Sequence, residues 1–176
     1  MTATLQNRSF LLRFGRGALY VLNTLIILFL AWIAAVKFVD FPYRLGIDGQ
    51  KVRCLPWSVF LVKQQLPVSI RAGDLIQFRA GKVGHGFDGL VFVKMVGAVP
   101  GDHVEIRGDQ LIINGKEHDR LWLLKSLQKR PGDLDTTYVV PKGEYLMLGT
   151  TRESFDGRYW GTVKQEQLLG SARPLF

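Results

Sequence analysis

Val91-Phe92-Val93-Lys94-Met95-Val96-Gly97, running on into Ala98-Val99-Pro100-Gly101-Asp102, reads as a strand with a lysine in its middle. Its β-branched and aromatic side chains suit a buried strand. Period-2 alternation puts Phe92, Lys94 and Val96 on one face. If that face is wet, Lys94 is an ordinary surface amine. If it is buried, the ammonium is costly, and the lysine is either paired or deprotonated. A neutral amine held on a rigid strand is a usable general base.

Segments of the same kind flank it. Ser58–Val62, Asp74–Phe78, Leu90–Val99 and His103–Ile106 are rich in strand formers and bounded by turn residues. Gln110–Ile113 leads into the hairpin turn Asn114-Gly115, and Tyr138–Val140 is joined to Glu144–Gly149 through Pro141-Lys142-Gly143. Between Lys116 and Thr137 the pattern weakens; a short helix is expected at Arg120–Leu127 and a loop at Gln128–Asp133. The expectation from about Lys37 onward is a mostly β domain.

Ahead of it, Gly17–Val36 reads GALYVLNTLIILFLAWIAAV, with Asn23 and Thr24 as its polar residues. About 20 helical residues rise about 30 Å, the thickness of a hydrocarbon core. The apolar character runs all round rather than in a stripe, and the stretch is long for a cleaved leader. The expected division is a cytoplasmic tail at 1–16, a transmembrane helix at 17–36 and an exported domain at 37–176. Arg8, Arg13 and Arg16 precede the span, whereas Lys37 is soon met by Asp40, so the positive-inside rule keeps the amino terminus in the cytoplasm. Around the span, Phe38, Val39, Phe41 and Trp57 are candidates for the membrane interface.

The formal net charge is +8, but the basic residues are scattered. That argues against a nucleic-acid surface and suits a protein beside an anionic membrane. Cys54 is the one cysteine, so no internal disulfide forms. His85, His103 and His118 are far apart, and no Cys/His spacing matches a zinc site. No metal and no cofactor are expected.

Four blocks in order then resemble the type I signal peptidases, and specifically their conjugative-transfer, TraF-type branch. Cys54-Leu55-Pro56-Trp57-Ser58-Val59-Phe60 resembles that branch's Ser-x-Pro-x-Gly-x-Tyr segment, with cysteine for the nucleophilic serine. Ala72–Phe78 resembles the Gly-Asp-hydrophobic block, and Val93–Asp102 the block that carries the family's lysine base. Leu148–Gly161 resembles the Gly-Asp-Asn-x-x-x-Ser-x-Asp-Ser-Arg-Tyr-Trp-Gly block. The resemblance covers most of Ile47–Val163. It implies a signal-peptidase-like β-barrel or sandwich domain with one amino-terminal transmembrane helix, and a nucleophile/lysine dyad of Cys54 and Lys94. It also implies that Ser154 orients the Lys94 amine, that Asp156 and Arg158 pair, and that Tyr159-Trp160 pack beneath that corner. A substrate strand would lie along Lys51-Val52-Arg53 and Pro56, in a cleft that admits small side chains at the cut, with Val68-Ser69-Ile70 as further lining.

The sequence departs from that pattern at three places. Cys54 exchanges the attacking oxygen for sulfur, which opens a thiolate–ammonium pairing with Lys94 as an alternative to a neutral base. Val52 cannot donate to an oxyanion, which leaves backbone amides such as that of Cys54 for the task. Thr150-Thr151 replace the usual Asp-Asn pair. The expectation is a peptidase in a bacterial inner membrane, single-pass, with a periplasmic catalytic domain, that cleaves exported precursors and matures a conjugative pilin or related transfer protein. Its partners are then the precursor and the bilayer. Two readings stand beside it: an inactive, membrane-anchored pilin-binding or assembly protein, and a general signal peptidase I.

Overall fold

The structure, a computed structural model, describes residues 3–38 and 42–176, with side chains described from residue 19 to 36 in the first helix. The chain divides into two units, Met1–Phe41 and Pro42–Phe176. The first is helix α1, Ala3–Phe38. Its Leu19–Val36 stretch is long and apolar enough to cross a membrane. The expectations placed on the Arg8, Arg13, Arg16, Lys37 and Phe38 side chains, and on Val39, Asp40 and Phe41, lie outside the described residues.

The second unit is mostly β. Its strands are β1 (Tyr43–Ile47), β2 (Val59–Lys63), β3 (Leu75–Arg79), β4 (Val91–Ala98), β5 (His103–Arg107), β6 (Gln110–Ile113), β7 (Lys116–Arg120), β8 (Thr136–Val139), β9 (Glu144–Leu148), β10 (Thr162–Lys164) and β11 (Leu168–Pro174). They form a seven-stranded sheet in the order β1-β2-β11-β3-β4-β9-β10 and a four-stranded sheet in the order β7-β6-β5-β8. Neighbours pair antiparallel throughout, so each strand can bury one face and wet the other.

Strand alternation divides the core among three clusters. On β4, Val96 and Phe92 pack with Ile76, Phe78 and Met147, while Val93 faces the cluster of Leu55, Phe60, Val62 and Ala172. A third cluster joins the end of β4 and β9, through Ala98, Leu146 and Leu148, to Val104, Ile106, Leu111 and Ile113 of the small sheet. At Gly97 the β4–β9 register shifts. A Cβ there would stand 2.7 Å from Leu148 Cγ, so glycine lets the two strands close over the bulge.

The helix expected at Arg120–Leu127 does not form. Arg120 ends β7, and residues 122–128 are consecutive turns. Leu127 N–H bonds the Leu123 carbonyl at 2.9 Å, but the Gln128 N–H turns to Lys125 at 3.1 Å. Leu121 and Leu124 are drawn into the core and leave no second apolar turn to continue a helix.

Candidate active site

Lys94 is 1% exposed at the centre of β4, opposite Ile76 of β3. It lies on the Phe92/Val96 face, and that face is dry. Among the described residues no carboxylate reaches ion-pair distance of its Nζ. The amine instead donates to Ser154 Oγ at 3.1 Å and stands 5.6 Å from the Phe92 ring centroid.

Ser154 is itself fully buried, in the turn between β9 and the short helix α2 (Gly157–Trp160). Asp156 caps that helix and holds the corner. Its Oδ1 accepts from Arg158 N–H at 3.2 Å and Nε at 2.9 Å, and its Oδ2 accepts from Gly149 N–H at 2.8 Å and Arg158 Nη2 at 2.7 Å. Arg158 Nη1 reaches across to β7, to Asp119 Oδ2 at 2.6 Å and the Arg120 carbonyl at 2.9 Å. Burial works against the guanidinium charge, but hydrogen bonding and attraction to Asp156, then Asp119, outweigh it and raise the Arg158 pKa. Burial is also the largest influence on Tyr159, whose phenol is raised although its oxygen accepts from Leu123 N–H at 3.0 Å.

Cys54 is half-buried in the irregular stretch that links β1 to β2. Its carbonyl accepts from Thr150 N–H at 2.8 Å and Thr151 N–H at 3.4 Å. Thr151 Oγ1 donates to the Arg53 carbonyl. The threonines that depart from the family's Asp-Asn pair therefore anchor the cysteine segment. The Cys54 N–H has no protein acceptor among the described residues, which leaves it free to donate to a developing oxyanion.

Gly149 joins the two halves. A Cβ built on it would stand 2.5 Å from the Cys54 carbonyl oxygen and 2.6 Å from Ser154 Cβ, and would collide with Ser154 Oγ as well. Only glycine lets the cysteine segment and the serine turn approach this closely.

Cys54 and Lys94 line one cavity of about 380 Å³, together with Lys51 and Val52. A second cavity, about 400 Å³, is also lined by Cys54 and is bounded by Gly46, Asp48, Gln50, Gln77, Phe92 and Val93, among others. Of the expected substrate-binding residues, Lys51 and Val52 are thus at the site. Arg53 and Pro56 are exposed and line neither cavity; Arg53 contributes its backbone carbonyl. Val68, Ser69 and Ile70 also line neither, and Ser69 borders a separate hollow. Three participants escaped the sequence reading: Asp119, Gly149, and an aromatic wall that includes Phe87 and Phe155. Asp119 sits in a charged strand that carries no apolar signal, and Phe87 in a glycine-rich loop.

The family model for signal peptidase, peptidase S26, matches residues 18–176. Over 116 residues the chain is 34% identical to signal peptidase IB of Staphylococcus aureus, covering 57% of this chain and 58% of that one. Over 113 residues it is 31% identical to signal peptidase I V of Bacillus subtilis, covering 58% and 64%. The chain thus spans less than two thirds of the length of both relatives. A crystal structure of a signal peptidase I from Enterococcus faecalis aligns at 27% identity and a TM-score of 0.42, covering 61% of this chain and 98% of that one.

Proposed function

The chain belongs to the signal peptidase family, peptidase S26, and on that premise we propose that it is a membrane-anchored endopeptidase that cuts exported precursors. Cys54 is the nucleophile and Lys94 the general base. The observation that carries this reading is a buried lysine with a hydroxyl partner and, among the described residues, no carboxylate partner, on the wall of a cavity that the cysteine also lines. A general base must be held within reach of the proton it takes, and the Ser154 hydroxyl fixes the Lys94 amine on that wall.

In this mechanism the Cys54 thiol gives its proton to Lys94 Nζ while sulfur attacks the scissile carbonyl carbon. The oxyanion is met by the free Cys54 N–H. The C–N bond breaks, and the proton on Nζ passes to the leaving amine. Water, deprotonated by the same Nζ, then attacks the thioester and releases the thiol. Ser154 keeps the amine aimed through each transfer, and the Asp156–Arg158–Asp119 network holds Ser154 and Gly149 in place.

With α1 as the anchor, the tail would be cytoplasmic and the β unit periplasmic, on the inner membrane of a bacterium. The Cys54–Phe60 segment favours a conjugative pilin or related transfer protein as substrate. The relatives named signal peptidase IB and I V favour the second reading, a general secretory precursor. The test is incubation of the detergent-solubilised full chain with a pilin precursor and a secretory precursor, read by intact mass. Cleavage of either is expected, with a loss of about 1,000-fold or more in Cys54→Ala and Lys94→Ala, the size of loss seen when a catalytic residue is removed. Processing unchanged in Lys94→Ala would refute the dyad, and no cleavage of either precursor by the parent chain would leave a binding or assembly protein.

A further inference from the structure

One turn, residues 149–154, carries both sets of contacts that the site needs from the end of β9. Thr150 and Thr151 N–H groups hold the Cys54 carbonyl, and Thr151 Oγ1 holds that of Arg53. Ser154, three residues after Thr151, accepts from Lys94 Nζ. Asp156 fixes the ends of the segment, through Gly149 N–H on one side and Arg158 on the other. The middle is held less firmly. Arg152 and Glu153 are exposed, and the Ser154 N–H meets the Thr151 carbonyl at 3.3 Å, a long bond.

A further grip on that middle comes from elsewhere in the fold. The Arg152 guanidinium stands 4.5 Å from the centre of the Trp122 ring, inside the roughly 6 Å over which a ring face attracts a cation. Trp122 lies in the run of turns after β7, where the expected helix does not form. Core packing does not account for it: its neighbours Leu121 and Leu124 are buried, whereas Trp122 is 43% exposed. The ring is nevertheless fixed. Its Nε1 donates to Asp119 Oδ1 at 3.2 Å, and the next residue, Leu123, donates its N–H to the Tyr159 phenol oxygen at 3.0 Å. Asp119 accepts from Arg158 on its other oxygen. The indole is thus mounted on the same link that braces α2, and it offers Arg152 a rigid face.

We propose that Trp122 is a positioning residue for the reaction: it clamps Arg152 and so holds the turn in the form that keeps the Cys54 segment and the Ser154 hydroxyl in register with Lys94. The inference rests on the peptidase reading and adds to it a residue outside all four blocks that resemble the family. Trp122 touches none of the reacting atoms.

The experiment uses the detergent-solubilised full chain and whichever of the two precursors it cleaves, with kcat, KM and Tm read for each variant. Trp122→Leu should lower kcat about two- to fivefold, the factor equivalent to one exposed cation–π contact, with KM unchanged. Arg152→Gln should lower it by the same factor, and the double variant should be no slower than either single, because both remove one shared contact. Trp122→Phe, which keeps a ring face and loses the N–H, should restore most of the rate. A purely structural part for Trp122 would lower Tm and leave the kcat of the folded protein unchanged. Parent kcat in Trp122→Leu, a Trp122→Phe variant as slow as Trp122→Leu, or singles whose effects multiply in the double variant each overturn this inference alone. Failure of both the parent chain and Cys54→Ser to cut either precursor overturns the peptidase reading and this inference with it.

Discussion

Replacing Asp156 with alanine tests the corner that supports the lysine. The carboxylate is fully buried and accepts four hydrogen bonds, three from Arg158 and one from Gly149 N–H. Without it, a guanidinium with no exposed surface keeps one carboxylate, Asp119, whose side chain is 30% exposed. Breaking a buried ion pair from one side costs about 3–5 kcal/mol. The orphaned Gly149 N–H is a further penalty of about 1–3 kcal/mol, partly counted already because the same atoms relax together. A net loss of about 4 kcal/mol is a large share of the roughly 5–15 kcal/mol that holds a domain together. For a unit of this size that is a fall in Tm of about 10 °C or more. The measurement is thermal unfolding of the detergent-solubilised chain, followed by tryptophan fluorescence, for Asp156→Ala, Arg158→Leu and the double variant. The double variant should be less destabilised than the sum of the two singles, because removing both partners leaves no buried charge unpaired. A Tm within 2 °C of the parent (roughly the span of a neutral surface change) for Asp156→Ala, or strict additivity in the cycle, would refute the network's role.

Two further outcomes follow from the geometry. Ser154→Ala removes the hydroxyl that Lys94 Nζ bonds at 3.1 Å; peptide cleavage should fall about 10–100-fold, as for a displaced catalytic group, with little change in Tm. Gly149→Ala forces a methyl group against the Cys54 carbonyl and Ser154. It should cost about 1–3 kcal/mol by overpacking and at least about 100-fold in kcat/KM; parent-like cleavage would show that the two segments need not be this close.

Much of this was legible because it is written in local pattern. The apolar helix, the Gln110–Ile113 strand with its Asn114-Gly115 turn, and the shared face of Phe92, Lys94 and Val96 follow from periodicity and turn chemistry. Sequence spacing alone could not settle whether that face was wet; the four ordered blocks tipped the choice, and the burial agrees. The strands that went unseen lacked the signal for physical reasons. β1 and β7 are edge strands with mostly exposed residues, and β7 is Lys-Glu-His-Asp-Arg, a composition that protects a sheet edge rather than filling a core. β11 contains Gly170 and Pro174, yet lies between β2 and β3. Gly170 is required there because a Cβ would stand 3.0 Å from the Lys63 carbonyl carbon and collide with its oxygen. The contact of Asp119 with Arg158 spans 39 residues of chain and depends on how the small sheet meets the large one. No window on the sequence contains it.

The distribution of rigidity explains how one lysine serves the site. Lys94 comes from a strand paired on both sides, by β3 and β9, so its Cα is fixed by the sheet. The cysteine comes from a segment with no regular structure, whose backbone carbonyls are tied to Thr150 and Thr151 just beyond the end of β9. Ser154, a few residues further on, bonds the lysine. Cys54, Lys94 and Ser154 are thus all referred to β9 or its immediate continuation, although their residue numbers span a hundred positions. A shift of that strand end moves the cysteine and serine together and preserves their mutual geometry, whereas loss of the Thr151–Arg53 bond would free the cysteine alone. For the dyad proposed above, coupling both partners and the Ser154 hydroxyl to one strand end would keep proton transfer within reach.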